Sequence, residues 1–451
     1  MGITIIQKSD LNNPKPDPDI ALVLAGGGSS GGAFKIGGLM ALNRFMLNQQ
    51  IVNINTYVGT SAGAMISAYL ANGVPVKQIV SMLERSLSMA ESFRFPAPKT
   101  GVSTKLAPIR PSDFYHLNYR DFIMQPIRLC WDVLTLLPRN IISILVRTGM
   151  TKEELRGTFF NMLNRPSYQN CEQFFRQCLE KDSSVQKRPS IPWSYIPTGI
   201  FSTEKVEQSI RENFEKNNLS NDFTELYEKT GKKLYIVATN LNSSKRVIFG
   251  PDQVNSVPIS KAIQASIAIP IFYKPVRIGN DDYVDGAVAK TTSLDWAVEK
   301  GADLVICYNP FRPFNHEVYC MNCGDDNKRL RVAEDGIYAV INQVMRTLLH
   351  TRLMNNLELR RKNPDFKGDV ILFEPTEYDD KFFDMNPFAF WERRDAAQRG
   401  FDSVKESIAA NYDILKKILN TYGIDTSLKF MKKKPDESAP YLETFYENLS
   451  M

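Results

Sequence analysis

The stretch LVLAGGGSSGGAF, Leu22 to Phe34, starts as an apolar run and then breaks into five glycines and two serines, Gly26–Gly32. Glycine at that density costs conformational entropy on folding. It is expected where the chain must take positive φ or let another group come close to its backbone N–H donors. The stretch therefore reads as a site rather than core, with Ile20–Leu24 as a buried strand before it and a helix over Ala33–Asn48 after it.

Working outward, a second apolar run ends at Tyr57-Val58 and enters GTSAG, Gly59–Gly63, after which AMISAYLA has helical spacing. That is a strand, a sharp turn and a helix, with Ser61 at the turn. LYIVAT (Leu234–Thr239) and DLVICY (Asp303–Tyr308) are further short strands, separated by a helical stretch and the turn VDGA at Val284–Ala287. Strands alternating with helices predict an α/β fold with a mostly parallel sheet and helices on both faces.

Three chemistries compete for the glycine loop. Gly26-x-Gly28-x-x-Gly31 fits a dinucleotide fingerprint, but that mechanism needs an acidic residue about 20 positions on for the ribose, and Ile20 to Leu83 contains no Asp or Glu. A phosphate-binding P-loop needs Gly-Lys followed by Ser or Thr at the helix start, whereas this loop ends Gly31-Gly32-Ala33 and Lys35 falls inside the helix. The third reading couples the loop to GTSAG. A serine on a strained strand-to-helix turn exposes its Oγ, and N–H groups of a nearby glycine loop stabilise a developing oxyanion.

Such a serine needs a base. The histidines are His116, His316 and His350; either of the last two closes a Ser–Asp–His order, but neither sits in an evident turn at a strand end. Asp285 is better placed, because YVDGA follows an apolar run and puts a carboxylate at a tight turn, giving a Ser–Asp pair without histidine.

GGGSSGG, GTSAG and DGA, in that order and context, resemble the patatin-like phospholipases. The similarity continues through VATNLNSSKRVIF from Val237, KAIQASIAIPIFYKPVRI from Lys261 and YVDGAVAKTTSLDWAVEKGADLVI from Tyr283, covering roughly Asp19 to Pro313. GIYAVINQVMRTLLHTRL, from Gly336, is similar to the C-terminal extension of longer bacterial members. The resemblance implies a three-layer α/β/α sandwich with a mostly parallel central sheet, a helical insertion and a helical C-terminal extension. It implies Ser61 as nucleophile in an elbow of Gly59, Thr60, Ala62 and Gly63, and Asp285 as its base in a turn with Gly286 and Ala287. An oxyanion hole follows from N–H groups around Gly26, Gly27, Gly28, Ser29 and Gly31. The implied reaction is hydrolysis of fatty-acyl esters of phospholipid or lysophospholipid through an acyl-enzyme, with no metal and no cofactor.

The chain departs from the family's pattern at Ser30, where the loop usually carries Arg or Lys, and at Ala287, where DGG is common; KTTS follows instead of the frequent Asn-Asn-Pro. Alanine at 287 is unstrained at negative φ and strained at positive φ. Two rivals stand beside the hydrolase: a catalytically weak or inactive lipid-binding module of the same fold, and a Ser–Asp–His esterase using His316 or His350.

At 451 residues with 43% hydrophobic content the chain can bury a large core. Its formal charge of +5 suits anionic surfaces and falls short of a nucleic-acid footprint, so the expected partners are a lipid substrate and a peripheral membrane surface. A protein activator and self-association are left open. No basic segment followed by an apolar one marks a secretory signal at the N-terminus, which predicts cytoplasmic synthesis. Bacterial members of the family include secreted effectors, so export of that kind also stays open.

Six cysteines in such a chain favour reduced thiols. His316, Cys320 and Cys323, with Cys307 nearby, have zinc-ligand chemistry but form one short knuckle; the plainer reading is a loop with free thiols.

The expected organisation is a flexible, Pro-rich leader over 1–18, a catalytic domain over 19–313 with an apolar helical insertion at about 93–193, and a mainly helical extension over 314–451 packed on the core. Within the insertion, Arg128, Asp132 and Arg139 interrupt an apolar stretch too often for a membrane span of ~20 residues. On one helix these charges fall within about 40° of each other, leaving an apolar face with Trp131, Leu134 and Ile142 that suits a membrane interface, a lid over a lipid pocket, or ordinary core packing.

Overall fold

The computed structural model describes residues 2–80, 106–125, 196–323, 331–376, 379–386 and 389–429, with a few isolated positions between 127 and 160. Its strands are β1 (Ile3–Ile6), β2 (Ile20–Leu24), β3 (Thr56–Thr60), β4 (Gly199–Phe201), β5 (Lys233–Asn240), β6 (Lys245–Phe249), β7 (Ile271–Tyr273), β8 (Val276–Ile278), β9 (Asp281–Asp285), β10 (Leu304–Tyr308) and β11 (Asp369–Phe373). The helices that matter for the site are α1 (Gly28–Phe45), α2 (Ala62–Ala71), α3 (Ile259–Ser266), α4 (Gly336–Lys362) and α5 (Arg393–Ala410).

Nine strands form one sheet in the order β1-β11-β10-β2-β3-β5-β9-β8, with β6 also bonded to β5. The central run β11, β10, β2, β3 and β5 is parallel, and β1, β6, β8 and β9 add antiparallel pairings. Every residue of β2, β3, β10 and β11 is buried, which is why IALVL of β2 and LVICY of β10 read as unbroken apolar runs rather than alternating ones: a parallel strand in the middle of a sheet is covered on both faces.

The two covers are distinct. On one face Val23, Val58, Val237, Val305 and Leu372 pack with Leu294 and Ala297 and with Leu353 and Leu357 of α4. On the other, Phe34 of α1 meets Tyr308 of β10 edge-on, with ring centroids 6.1 Å apart. The architecture is the three-layer α/β/α sandwich expected from the resemblance.

Three expectations change. The segment read as a flexible leader carries β1, which pairs with β11 from Ile3 beside Phe373 to Ile6 beside Val370. The Asp369 carboxylate then accepts from the N–H groups of Lys8 and Ser9, at 2.7 and 2.9 Å, and from the Ser9 hydroxyl at 2.6 Å. ITII is short, but it gives β11 the neighbour it would otherwise lack. The C-terminal part, expected only to pack on the core, supplies β11 to the sheet itself. Finally, α1 begins inside the glycine run at Gly28 instead of at Ala33.

By internal contacts the chain divides into two units, Met1–His116 with Ser202–Met451, and Leu117–Phe201. In the second, Leu117 and Phe201 form an antiparallel bridge, and Asp121 accepts from the Thr198 N–H and hydroxyl at 3.3 and 2.7 Å. Most of the insertion expected over 93–193, including Trp131, Leu134 and Ile142, lies outside the described residues. Among the described residues no helix is long and apolar enough to cross a membrane.

Candidate active site

The site forms where β2 and β3 end, at the carboxyl edge of the parallel strands, the usual position for a ligand crevice in an open α/β sheet. After Leu24 the chain passes through Ala25-Gly26 into α1 with Gly27 as N-cap at φ 141°, a conformation a side chain would resist, and no side chain caps the helix. The first N–H groups of a helix have no partner within it, and the dipole adds positive character there; here those groups belong to Gly28, Ser29 and Ser30.

Lys35 secures this loop and was missed as a functional residue in the sequence. It is fully buried on α1, and its Nζ donates to the carbonyls of Ala25 and, at 2.6 Å, Gly26, fixing the peptides that precede the helix. Burial pushes its ammonium down to about 7, opposed by the charge of Asp285. The signal in the sequence was a single cation inside the apolar run AFKIGGLMAL, which must find polar partners if it is buried.

Ser61 joins β3 to α2 at φ 55°, ψ −125°, a sparsely populated region for a residue with a Cβ. Its N–H donates to Ser266 Oγ at 2.8 Å, and that hydroxyl donates to the Val237 carbonyl at 2.6 Å, so α3 and β5 together hold the turn. The glycine loop and the serine turn touch: a Cβ added at Gly26 would lie 3.2 Å from Ser61 Cβ.

Asp285 ends β9 opposite Ala238 of β5. Its N–H donates to the Ala268 carbonyl at 2.9 Å, its own carbonyl accepts from Thr239 Oγ1 at 3.0 Å, and its Oδ1 accepts from the Ala287 N–H at 2.8 Å. Burial pushes Asp285 up to about 6, and the nearby Ser61 hydroxyl, the Ala287 N–H and the charge of Lys35 restrain the rise. Ala287 sits in a 3-10 turn without positive φ, so alanine in place of the family's glycine is unstrained.

Ser61 opens into a largely apolar cleft whose walls include Gly28, Ser29, Met65, Phe114, Phe390 and Arg393. Of the expected site residues, the structure brings together Ser61, Asp285 and the Gly26–Ser29 backbone. Gly31 does not serve as an oxyanion donor, because its N–H bonds the Gly27 carbonyl at 3.0 Å as part of the first helical turn.

The histidines do not join the cleft. His350, on α4, faces Glu374 at 3.3 Å, and His316 opens the helix His316–Cys323, where a loop was expected. Cys307 is a buried core residue of β10, and the side chains of Cys320 and Cys323 lie outside the described residues.

A serine on a strained turn, a buried carboxylate near it and uncapped N–H groups beside it can perform acyl transfer: attack on a carbonyl, proton removal and stabilisation of the resulting oxyanion. The chain belongs to the patatin-like phospholipase family, whose model matches residues 22–297. Among curated proteins it is 30% identical over 103 residues to the probable lipid hydrolase 463L of Invertebrate iridescent virus 6, covering 22% of this chain and 36% of that protein. It is 34% identical over 89 residues to the uncharacterized protein R571 of Acanthamoeba polyphaga mimivirus, covering 20% of this chain and 29% of that one. The matched region thus spans about a third of those relatives. Among solved structures it is similar to VipD from Legionella pneumophila (16% identity, 91% and 70% of the two chains, TM-score 0.34). It is also similar to human GIVD cytosolic phospholipase A2 with methyl gamma-linolenyl fluorophosphonate (12% identity, 90% and 59%, TM-score 0.36).

Proposed function

We propose that the protein hydrolyses fatty-acyl esters of phospholipid or lysophospholipid at a membrane surface through Ser61 and Asp285. The observation that carries this reading is Ser61 on a positive-φ turn, with the buried Asp285 carboxylate near enough for the serine to act on its titration, next to the uncapped start of α1. Family membership and the viral probable lipid hydrolase support lipid acyl hydrolysis as the class of reaction.

In this scheme Ser61 Oγ attacks the ester carbonyl while its proton passes to Asp285. The carbonyl oxygen, now anionic, is held by first-turn N–H groups of α1. Collapse of the intermediate expels the alcohol, which takes the proton from Asp285, and leaves an acyl ester on Ser61. Water, deprotonated by Asp285, then releases the fatty acid and restores Ser61 Oγ–H. The apolar cleft receives the acyl chain, with residues 19–313 carrying Ser61, Asp285 and the glycine loop, and the later residues completing the sheet with β11.

The base works only when ionised, which fixes the sign of the pH dependence. With Asp285 pushed up to about 6, kcat/KM for release of fatty acid rises as pH increases through about 6 and levels off above it. The test measures fatty-acid release from anionic phospholipid vesicles and from lysophospholipid micelles between pH 4.5 and 8. A rate that falls across this window, or folded protein that binds vesicles and releases nothing, would count against the proposal.

A further inference from the structure

We propose that Arg393, from the C-terminal part of the chain, is the positioning residue and cationic charge of the glycine loop, favouring the anionic transition state formed there. This rests on the role given above to Ser61 and Asp285.

Arg393 is the first residue of α5 and only 4% exposed. Its Nε donates to Ser29 Oγ at 2.6 Å, and its guanidinium lies 3.8 Å from the centre of the Phe390 ring. Among the described residues lining the cleft it is the one charged side chain, and it shares that cleft with Ser61, Gly28 and Ser29. Burial lowers its pKa to about 9, so it keeps its charge at neutral pH.

The contact to Ser29 matters because of where Ser29 stands. It is the second residue of α1, so anchoring its side chain also fixes a peptide in the turn whose N–H groups lack helical partners. Farther along the same pair of helices the Arg44 guanidinium lies 5.1 Å from the Phe401 ring, so α5 is held beside α1 at more than one level. A guanidinium fixed this way adds positive potential to that of the helix start. It meets no charge in the neutral ester and a full negative charge in the tetrahedral intermediate, so its contribution falls on kcat rather than KM. Lys35 acts on the carbonyls of the same loop, and Arg393 on its helical end.

The test compares wild type, Arg393→Met, Arg393→Lys, Ser29→Ala and the Arg393→Met/Ser29→Ala double variant on p-nitrophenyl butyrate, a neutral ester. Active sites are counted by fluorophosphonate titration. The expected result is a fall in kcat per titrated site of about 10- to 100-fold in Arg393→Met with little change in KM, and partial recovery in Arg393→Lys, whose charge is kept without the fork. The double variant should be barely worse than Arg393→Met.

Unchanged kcat on the neutral ester, with only KM for anionic vesicles raised, would overturn the proposal in favour of headgroup binding. Equal loss in Met and Lys variants, confined to the fraction of titratable sites, would reduce Arg393 to a packing residue. A readout independent of turnover separates this inference from the hydrolase reading. Amide exchange over residues 26–34 should accelerate in Arg393→Met and be restored in Arg393→Lys; unchanged exchange overturns the positioning role even if no ester is cleaved.

Discussion

Ser61→Ala should lower kcat/KM for fatty-acid release by at least about 10³-fold, and Asp285→Asn by about 10²- to 10⁴-fold, with both variants folded and still bound to vesicles. The first removes the attacking oxygen. The second keeps the shape of the side chain, and an amide oxygen can still accept from the Ala287 N–H now bonded at 2.8 Å, so the turn survives while the proton acceptor is lost. Asp285→Asn should also abolish the rise in activity through about pH 6, because that rise is assigned to this carboxylate. Steady-state kinetics on lysophospholipid micelles checks both. Since the two residues act as a unit, the double variant should be little worse than Ser61→Ala alone. An Asp285→Asn enzyme within a few-fold of wild type would transfer the role of base elsewhere.

Gly63→Ala should damage folding rather than chemistry alone. A Cβ at Gly63 would lie 2.2 Å from the Leu24 carbonyl oxygen and 2.6 Å from that of Ala25. Both are main-chain atoms at the end of β2, with no flexible side chain to swing aside. Either α2 moves away from β2 or the end of the strand shifts, and both displace Ser61 and the glycine loop. The expected loss is about 3 kcal/mol or more, at the upper end of overpacking costs. Urea denaturation followed by circular dichroism tests it. A contrasting site is Gly73, at φ 83° with open space around it, where Gly73→Ala meets backbone strain only and should cost less. Equal stability of Gly63→Ala and wild type would mean that the close approach of α2 to β2 is not what fixes the turn.

The parallel core was legible because its strands are buried on both faces: IALVL needs no partner to be recognised, and its bounds Ile20–Leu24 match the strand. The serine turn was legible because both glycines of GTSAG flank a residue between an apolar run and a helix. What the sequence hid depends on contacts between distant segments. ITII is too short to stand out, and becomes a strand only because β11, some 360 positions later, offers an edge. Lys35 resembles any helix lysine until α1 is buried beneath the loop it bonds. Arg393 carries no motif at all; its place beside Ser29 follows from the packing of α5 along α1. Gly31 failed in the opposite way, since an N–H that looked available in a glycine run is taken up by the helix that begins there.

The most direct test of the central claim is to treat the protein with a fatty-acyl fluorophosphonate and locate the adduct by peptide mass spectrometry. The account predicts one phosphonyl group per chain, carried by Ser61, formed more slowly in Asp285→Asn and absent in Ser61→Ala. An adduct on any other residue, or fatty-acid release that continues in protein whose Ser61 is fully modified, would contradict it.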